Sequence, residues 1–201
     1  MKPKTLLITS WLLLLGIIAL FIGVQYYQSR QSFQGSLIEP SPQAVDFELT
    51  RVGGGTFRMS SQKGRVVLIF FGYANCPDFC PTTMAEYKKI HTELGKQAEM
   101  VDFVFVTIDP ERDSPEQIES YVAAFHPSFV GLSGTVDELQ PVWEGYWVFR
   151  QKQEVESEAG YLMAHTTRIY VVDKLGNLRL TFPFGLTANS MVSDVERLLA
   201  E

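Results

Sequence analysis

The 201-residue chain carries 17 basic and 23 acidic residues, a formal net charge of −6 at pH 7. All 23 acids and 14 of the bases follow residue 34, so that stretch stands at net −9 and lacks the basic face that nucleic acid requires. The only two cysteines, Cys76 and Cys80, would close a loop too small to staple a fold, contributing about 2 kcal/mol at most.

Thr5 to Ser29 contains no charged residue and is dominated by Leu, Ile, Phe and Val. About 20 apolar residues cross a bilayer core, and this run exceeds the apolar part of a cleavable secretory signal and lacks its small-residue cleavage site. Residues 1–30 are therefore expected to be a retained transmembrane anchor. Lys2 and Lys4 precede it and only Arg30 closely follows, which places the N-terminus in the cytoplasm and the remainder outside. With no Arg-rich amphipathic presequence, a bacterial inner membrane with a periplasmic domain is the expected location. Residues 31–43, containing Gly35, Pro40 and Pro42, read as a tether, and residues 44–201 as one globular domain.

Within that domain, Asp46 to Leu49 and Thr56 to Met59 predict a short hairpin around Gly53, Gly54 and Gly55. Arg65 to Gly72 and Val101 to Ile108 are apolar runs that predict strands buried on both faces. Pro81 to Gly95 predicts a helix, with proline in its first turn and glycine at its C-terminal end. Ser114, Pro115 and Gln117 form a capping box that starts another helix. A short helix is expected over Val136 to Trp143 and a mobile polar loop over Gln151 to Tyr161. Thr167 to Val172 and Leu178 to Phe182 then predict a hairpin, and Thr187 caps a last helix. The order β-α-β-α, β-hairpin, α predicts an α/β thioredoxin-like fold with an N-terminal β-hairpin and one N-terminal transmembrane helix.

The candidate site follows from that order. The first βα turn, at the C-terminal edge of the sheet, carries Cys76 and Cys80, and the helix that follows favours their thiolate forms. The pair supports either redox chemistry or metal binding. Redox motifs usually place two residues between their cysteines, and here there are three. Soft sulfur ligands select copper(I), whereas structural zinc usually takes four protein ligands. Of three histidines, His91 is expected on a solvated helix face and His126 at a helix end. His165 precedes a strand, in the loop that faces the cysteine turn in thioredoxin-like enzymes, where a cis-proline usually stands. Cys76, Cys80 and His165 are thus the expected ligands. Asp78 is a candidate outer acceptor, Phe71, Tyr73 and Phe79 are expected walls, and Met84 and Met163 are expected to pack. Asp109, Glu111 and Asp113 read as loop and capping acids.

Four motifs carry a resemblance: FGYANCPDFCP ending at Pro81, VTIDPERDSPEQIESY from Val106 to Tyr121, FVGLSGT from Phe129 to Thr135, and HTTRIYVVD from His165 to Asp173. With these the chain resembles the Sco/SenC copper proteins of cytochrome c oxidase assembly. The resemblance implies binding of Cu(I) and Cu(II) by two cysteines and one histidine. It implies a metallochaperone rather than an enzyme, taking copper from an upstream donor and delivering it to the binuclear centre of oxidase subunit II. Its alternative is a membrane-anchored thiol-disulfide oxidoreductase that uses Cys76 and Cys80 to reduce that subunit's cysteines. Members of the family usually carry an aspartate before the histidine. This chain has Ala164, a loss expected to weaken Cu(II) binding more than Cu(I).

Overall fold

The structure is a computed structural model that describes residues 11–23, 32–52, 55–154 and 160–201. Residues 11–23 are helical. Among the described residues no helix is long and apolar enough to cross a membrane. The flanks of the expected anchor, 5–10 and 24–29, lie outside the described residues.

The unit from Gln34 to Glu201 is built on a six-stranded sheet. Its strands are β1 (Ser36–Leu37), β4 (Val66–Gly72), β5 (Val101–Thr107), β6 (Val130–Leu132), β9 (Ile169–Val172) and β10 (Leu178–Phe182), in the order β1-β10-β9-β4-β5-β6. β4, β5 and β6 run parallel, β9 pairs antiparallel with β4, and β10 pairs antiparallel with β9. Every residue of β4 is buried, as its unbroken apolar run predicts for a central strand covered on both faces. This is the thioredoxin-like arrangement expected from the sequence. The short hairpin β2 (Glu48–Thr50) and β3 (Thr56–Arg58) also forms. Gly53 and Gly54 of its expected turn lie outside the described residues.

Among the described residues of this unit four α-helices connect or cover the strands: α1 (Phe79–Leu94), α2 (Pro115–Ala123), α3 (Val136–Gly145) and α4 (Ala188–Ala200). The capping box at Ser114 and Gln117 is formed, and Thr135 with Glu138 forms a second one at the start of α3. Thr187 caps α4 by accepting from the Ser190 amide. Gly95 takes a positive φ of 55° where α1 ends, a conformation that costs glycine little. α1 packs against α4.

Three differences from the sequence reading have local causes. The segment expected as a tether is partly built into the domain, since Leu37 pairs with Leu180 and Ser36 with Thr181. The buried carboxylate of Asp194 on α4 accepts the backbone N–H groups of Gln34 and Gly35 at 2.7–2.9 Å. The segment read as a mobile loop is a hairpin, β7 (Arg150–Glu154) paired with β8 (Tyr161–His165), with residues 155–159 outside the described residues. Four of its five β7 residues are exposed, so no apolar alternation marks it as a strand. β6 satisfies its backbone groups by pairing with β5, and its three residues are too few for a periodic signal.

Candidate metal centre

The chain turns sharply after β4, and this turn holds the first cysteine. α1 begins at Phe79, two residues earlier than its proline suggests, so Cys80 lies in the first turn of the helix. A helix start leaves backbone N–H groups without an intrahelical partner. Asp78, at the N-cap, supplies no side-chain cap. The sulfur of Cys76 takes that place, accepting the Cys80 amide at 3.4 Å.

His165 ends β8 and reaches the same point from the other side. Its Nε2 lies 3.8 Å from the Cys80 sulfur. The ligand atoms of Cys76, Cys80 and His165 all fall within 4.8 Å of one another, and no other group of three or more His, Cys, Asp or Glu residues among the described residues does so. With metal–sulfur and metal–imidazole bonds of about 2.3 and 2.0 Å, as found for zinc, two ligands of a trigonal ion stand about 3.7 Å apart. The Cys80–His165 separation matches that span. His165 Nδ1 faces the backbone oxygen of Thr166 at 2.8 Å. A carbonyl only accepts, so Nδ1 carries the proton and Nε2 offers its lone pair to the sulfurs.

The two thiols are unlike. Cys80 is fully buried, and burial followed by the neighbouring Cys76 sulfur pushes its pKa far up. A hydrogen bond from the Cys80 thiol pulls Cys76 far below the usual thiol range. The backbone amides of Asp78 and Cys80 pull in the same direction, against burial. The opposite directions make Cys76 the more acidic thiol of the metal-free pair and Cys80 the one that holds its proton more tightly. Both cysteines are free.

The walls differ from expectation. Successive residues of a strand face opposite sides, so Phe70 and Gly72 share the site's side of β4 while Phe71 points away. The Phe70 ring stands 6.1 Å from the His165 ring, and the Tyr73 ring 5.9 Å from it. Phe71 packs on Tyr146 and Tyr170 instead. Phe79 is exposed and stacks edge-on against Phe184 at 4.9 Å. The Tyr73 hydroxyl accepts the Met163 amide at 3.3 Å, which ties the cysteine turn to β8. Asp78 is exposed, and its amide rather than its carboxylate bonds to Cys76. Met84 and Met163 are buried packing residues. His91 is half-buried and stacks on His126 at 3.9 Å between ring centres, where burial and then His126 lower its pKa. The alternation of β8 places Ala164 on the face opposite His165.

Asp109 and Asp113, read as solvated loop acids, are 3% and 1% exposed. Asp113 accepts from the Thr107 hydroxyl at 2.6 Å and from the Ala74 amide at 3.2 Å, bracing the turn that carries Cys76. Burial raises its pKa to about 6. A carboxyl whose folded pKa is raised stabilises the fold most below its unfolded value and loses that contribution as pH rises through its folded value. Replacement by asparagine keeps an acceptor for Ala74 and removes the charge. Between pH 4 and pH 7 the wild type should therefore lose on the order of 1–2 kcal/mol relative to Asp113→Asn. Denaturant melts at the two pH values measure this, and parallel curves would refute it.

A thioredoxin-like domain with two sulfurs and one imidazole converging at the C-terminal edge of its sheet defines a candidate soft-metal carrier. The SCO1/SenC family model matches residues 36–200, and the chain belongs to that family. It is 30% identical over 175 residues to a SCO2-like protein of Rickettsia conorii, covering 86% of this chain and 85% of that one. Its fold matches apo Sco1 of Thermus thermophilus with a TM-score of 0.75 at 37% identity, over 84% of this chain and 98% of that one. It matches Bradyrhizobium japonicum ScoI, solved with copper bound, with a TM-score of 0.71 at 36% identity, over 78% and 99%.

Proposed function

We propose that this protein is a copper metallochaperone that holds one ion on Cys76, Cys80 and His165. The observation that carries the reading is the convergence of those three donors within 4.8 Å. Two thiolates and an imidazole form a soft set that suits Cu(I), and three ligands leave room for an incoming thiolate. Such a carrier exchanges ligands and turns over no substrate. Copper bound in the Bradyrhizobium relative supports the choice of metal.

In this reading residues 1–30 anchor the chain in a bacterial inner membrane, 31–43 lead away from it, and 44–201 face the periplasm. An upstream donor supplies copper, and the acceptor is the binuclear copper site of cytochrome c oxidase subunit II. The acidic domain suits a basic partner surface. Titrating the reduced full chain with Cu(I) should load one ion per chain. Mixing the loaded protein with copper-free subunit II should then move the ion to the acceptor. Failure to load ends the reading, and loading without transfer ends the assignment of the acceptor.

A second reading is favoured by the unlike cysteines. Cys76, the more exposed of the two, would attack a disulfide of the partner, and Cys80 would resolve the mixed disulfide, leaving the partner reduced and this pair oxidised. Reduction of oxidised subunit II by the metal-free chain, undiminished in His165→Ala, would favour it.

A further inference from the structure

The cysteines ride on the core of the domain, but His165 rides on a hairpin that belongs to no part of the main sheet. Of the described residues of that hairpin, only Met163 is buried. One methionine is little apolar burial to set against the entropy of ordering two strands. Polar contacts therefore help to hold the histidine at its distance from the sulfurs, and apart from the bond of the Met163 amide to Tyr73 they converge on the loop that follows β5.

Arg112 lies at their centre. Its Nε donates to the buried carboxylate of Asp109 at 2.6 Å, and its Nη1 donates to the backbone oxygen of Tyr161 at 3.0 Å. Its guanidinium stacks over the Tyr161 ring at 3.5 Å and lies 5.7 Å from the Tyr73 ring. The Tyr161 hydroxyl closes the circuit by donating to the other oxygen of Asp109 at 2.8 Å. Asp109 is fixed in turn, because its amide donates to the Thr107 hydroxyl at the end of β5. On the second strand, Arg150, paired across from His165, donates to the Ile108 oxygen at 3.2 Å.

We propose that Arg112 is a positioning residue for His165: clasped by Asp109 and stacked on Tyr161, it holds the hairpin so that the imidazole completes the site made by Cys76 and Cys80. This rests on the metal reading of that site. Planarity is the point of the arginine, since a lysine would keep the charge but lose both the flat face and the fork of donors.

The test uses the full chain loaded with Cu(II) and reads two quantities. One is the nitrogen hyperfine coupling of a bound imidazole in electron paramagnetic resonance, and the other is the rate of copper loss to an excess of chelator. Arg112→Ala should weaken the nitrogen coupling and release copper roughly 10–100-fold faster, the scale for an outer-shell partner. Arg112→Lys should not restore the wild-type rate. The double variant with His165→Ala should release copper no faster than His165→Ala alone, because the two act through one ligand. In the metal-free protein, amides of 161–165 should exchange faster in Arg112→Ala while those of β4 do not. Tyr161→Ala breaks the same clasp from the hairpin side and serves if Arg112→Ala does not fold. An Arg112 variant with wild-type coupling and release, or effects that multiply in the double variant, would overturn the proposal with the metal site intact. His165→Ala indistinguishable from wild type would instead remove the site itself.

Discussion

Replacing Cys80 with serine should abolish copper retention, and replacing His165 with alanine should weaken it less. Both effects should exceed the roughly 10–100-fold that loss of an outer-shell partner costs, because each removes a bonding atom. The order follows from the donors. A thiolate is soft and charged, and its serine counterpart is a neutral, hard hydroxyl that Cu(I) does not favour. Without the imidazole, two sulfurs remain, enough for a linear Cu(I) site of lower affinity. The stability cost should be small in both cases. Cys80→Ser exchanges sulfur for oxygen at a fully buried position, and His165 is only half-buried at the edge of a peripheral hairpin. Competition with a chromophoric Cu(I) chelator gives the affinities, and thermal melts of the metal-free proteins give the control. Equal retention by Cys80→Ser and wild type would show that the ion sits elsewhere.

How much of this site was legible beforehand depended on how local each signal is. β4 and β5 announce themselves through uninterrupted apolar runs, and Ser114 with Gln117 declares a helix start within four residues. The ligand triad could be read because the fold order puts the cysteine turn and the segment that leads into β9 at one sheet edge. The clasp around Arg112 could not. It joins residues 109 and 112 to residue 161, and it depends on a strand pairing between RQKQE and YLMAH that has no apolar alternation on its first strand. The same limit explains Asp113, whose burial comes from the turn at Ala74 and from Ser133, which donates to its backbone oxygen. Phe70 was within reach. Period-two alternation along β4 puts it, not Phe71, on the side of Gly72 and the sulfurs.

That alternation leads to the other large expected effect, at Gly72. The residue needs no unusual backbone angle, so its requirement is space. A Cβ there would stand 2.8 Å from the Cys80 sulfur and 2.9 Å from ring carbons of Phe70 and Phe105. The two rings are fully buried and stack edge-on at 5.9 Å, and Phe105 is backed by Tyr121 at 5.4 Å, so neither has room to retreat. The strand cannot slide either, because Gly72 pairs with Thr107 and its carbonyl accepts the Ile108 amide at 2.8 Å. What can yield is the Cys80 side chain, by turning its sulfur away from His165. Gly72→Ala should therefore act twice. Overpacking should cost about 1–3 kcal/mol. For a domain of this size that corresponds to a fall in Tm of roughly 2–12 °C. Copper affinity should fall further than that instability explains, since a ligand set tolerates displacements of only about 0.5 Å. Affinity measured well below the melting temperature separates the two effects. A variant that melts lower but binds copper as the wild type does would mean that the phenylalanines move and the sulfur stays, and the close fit between Gly72 and Cys80 would then have no bearing on the site.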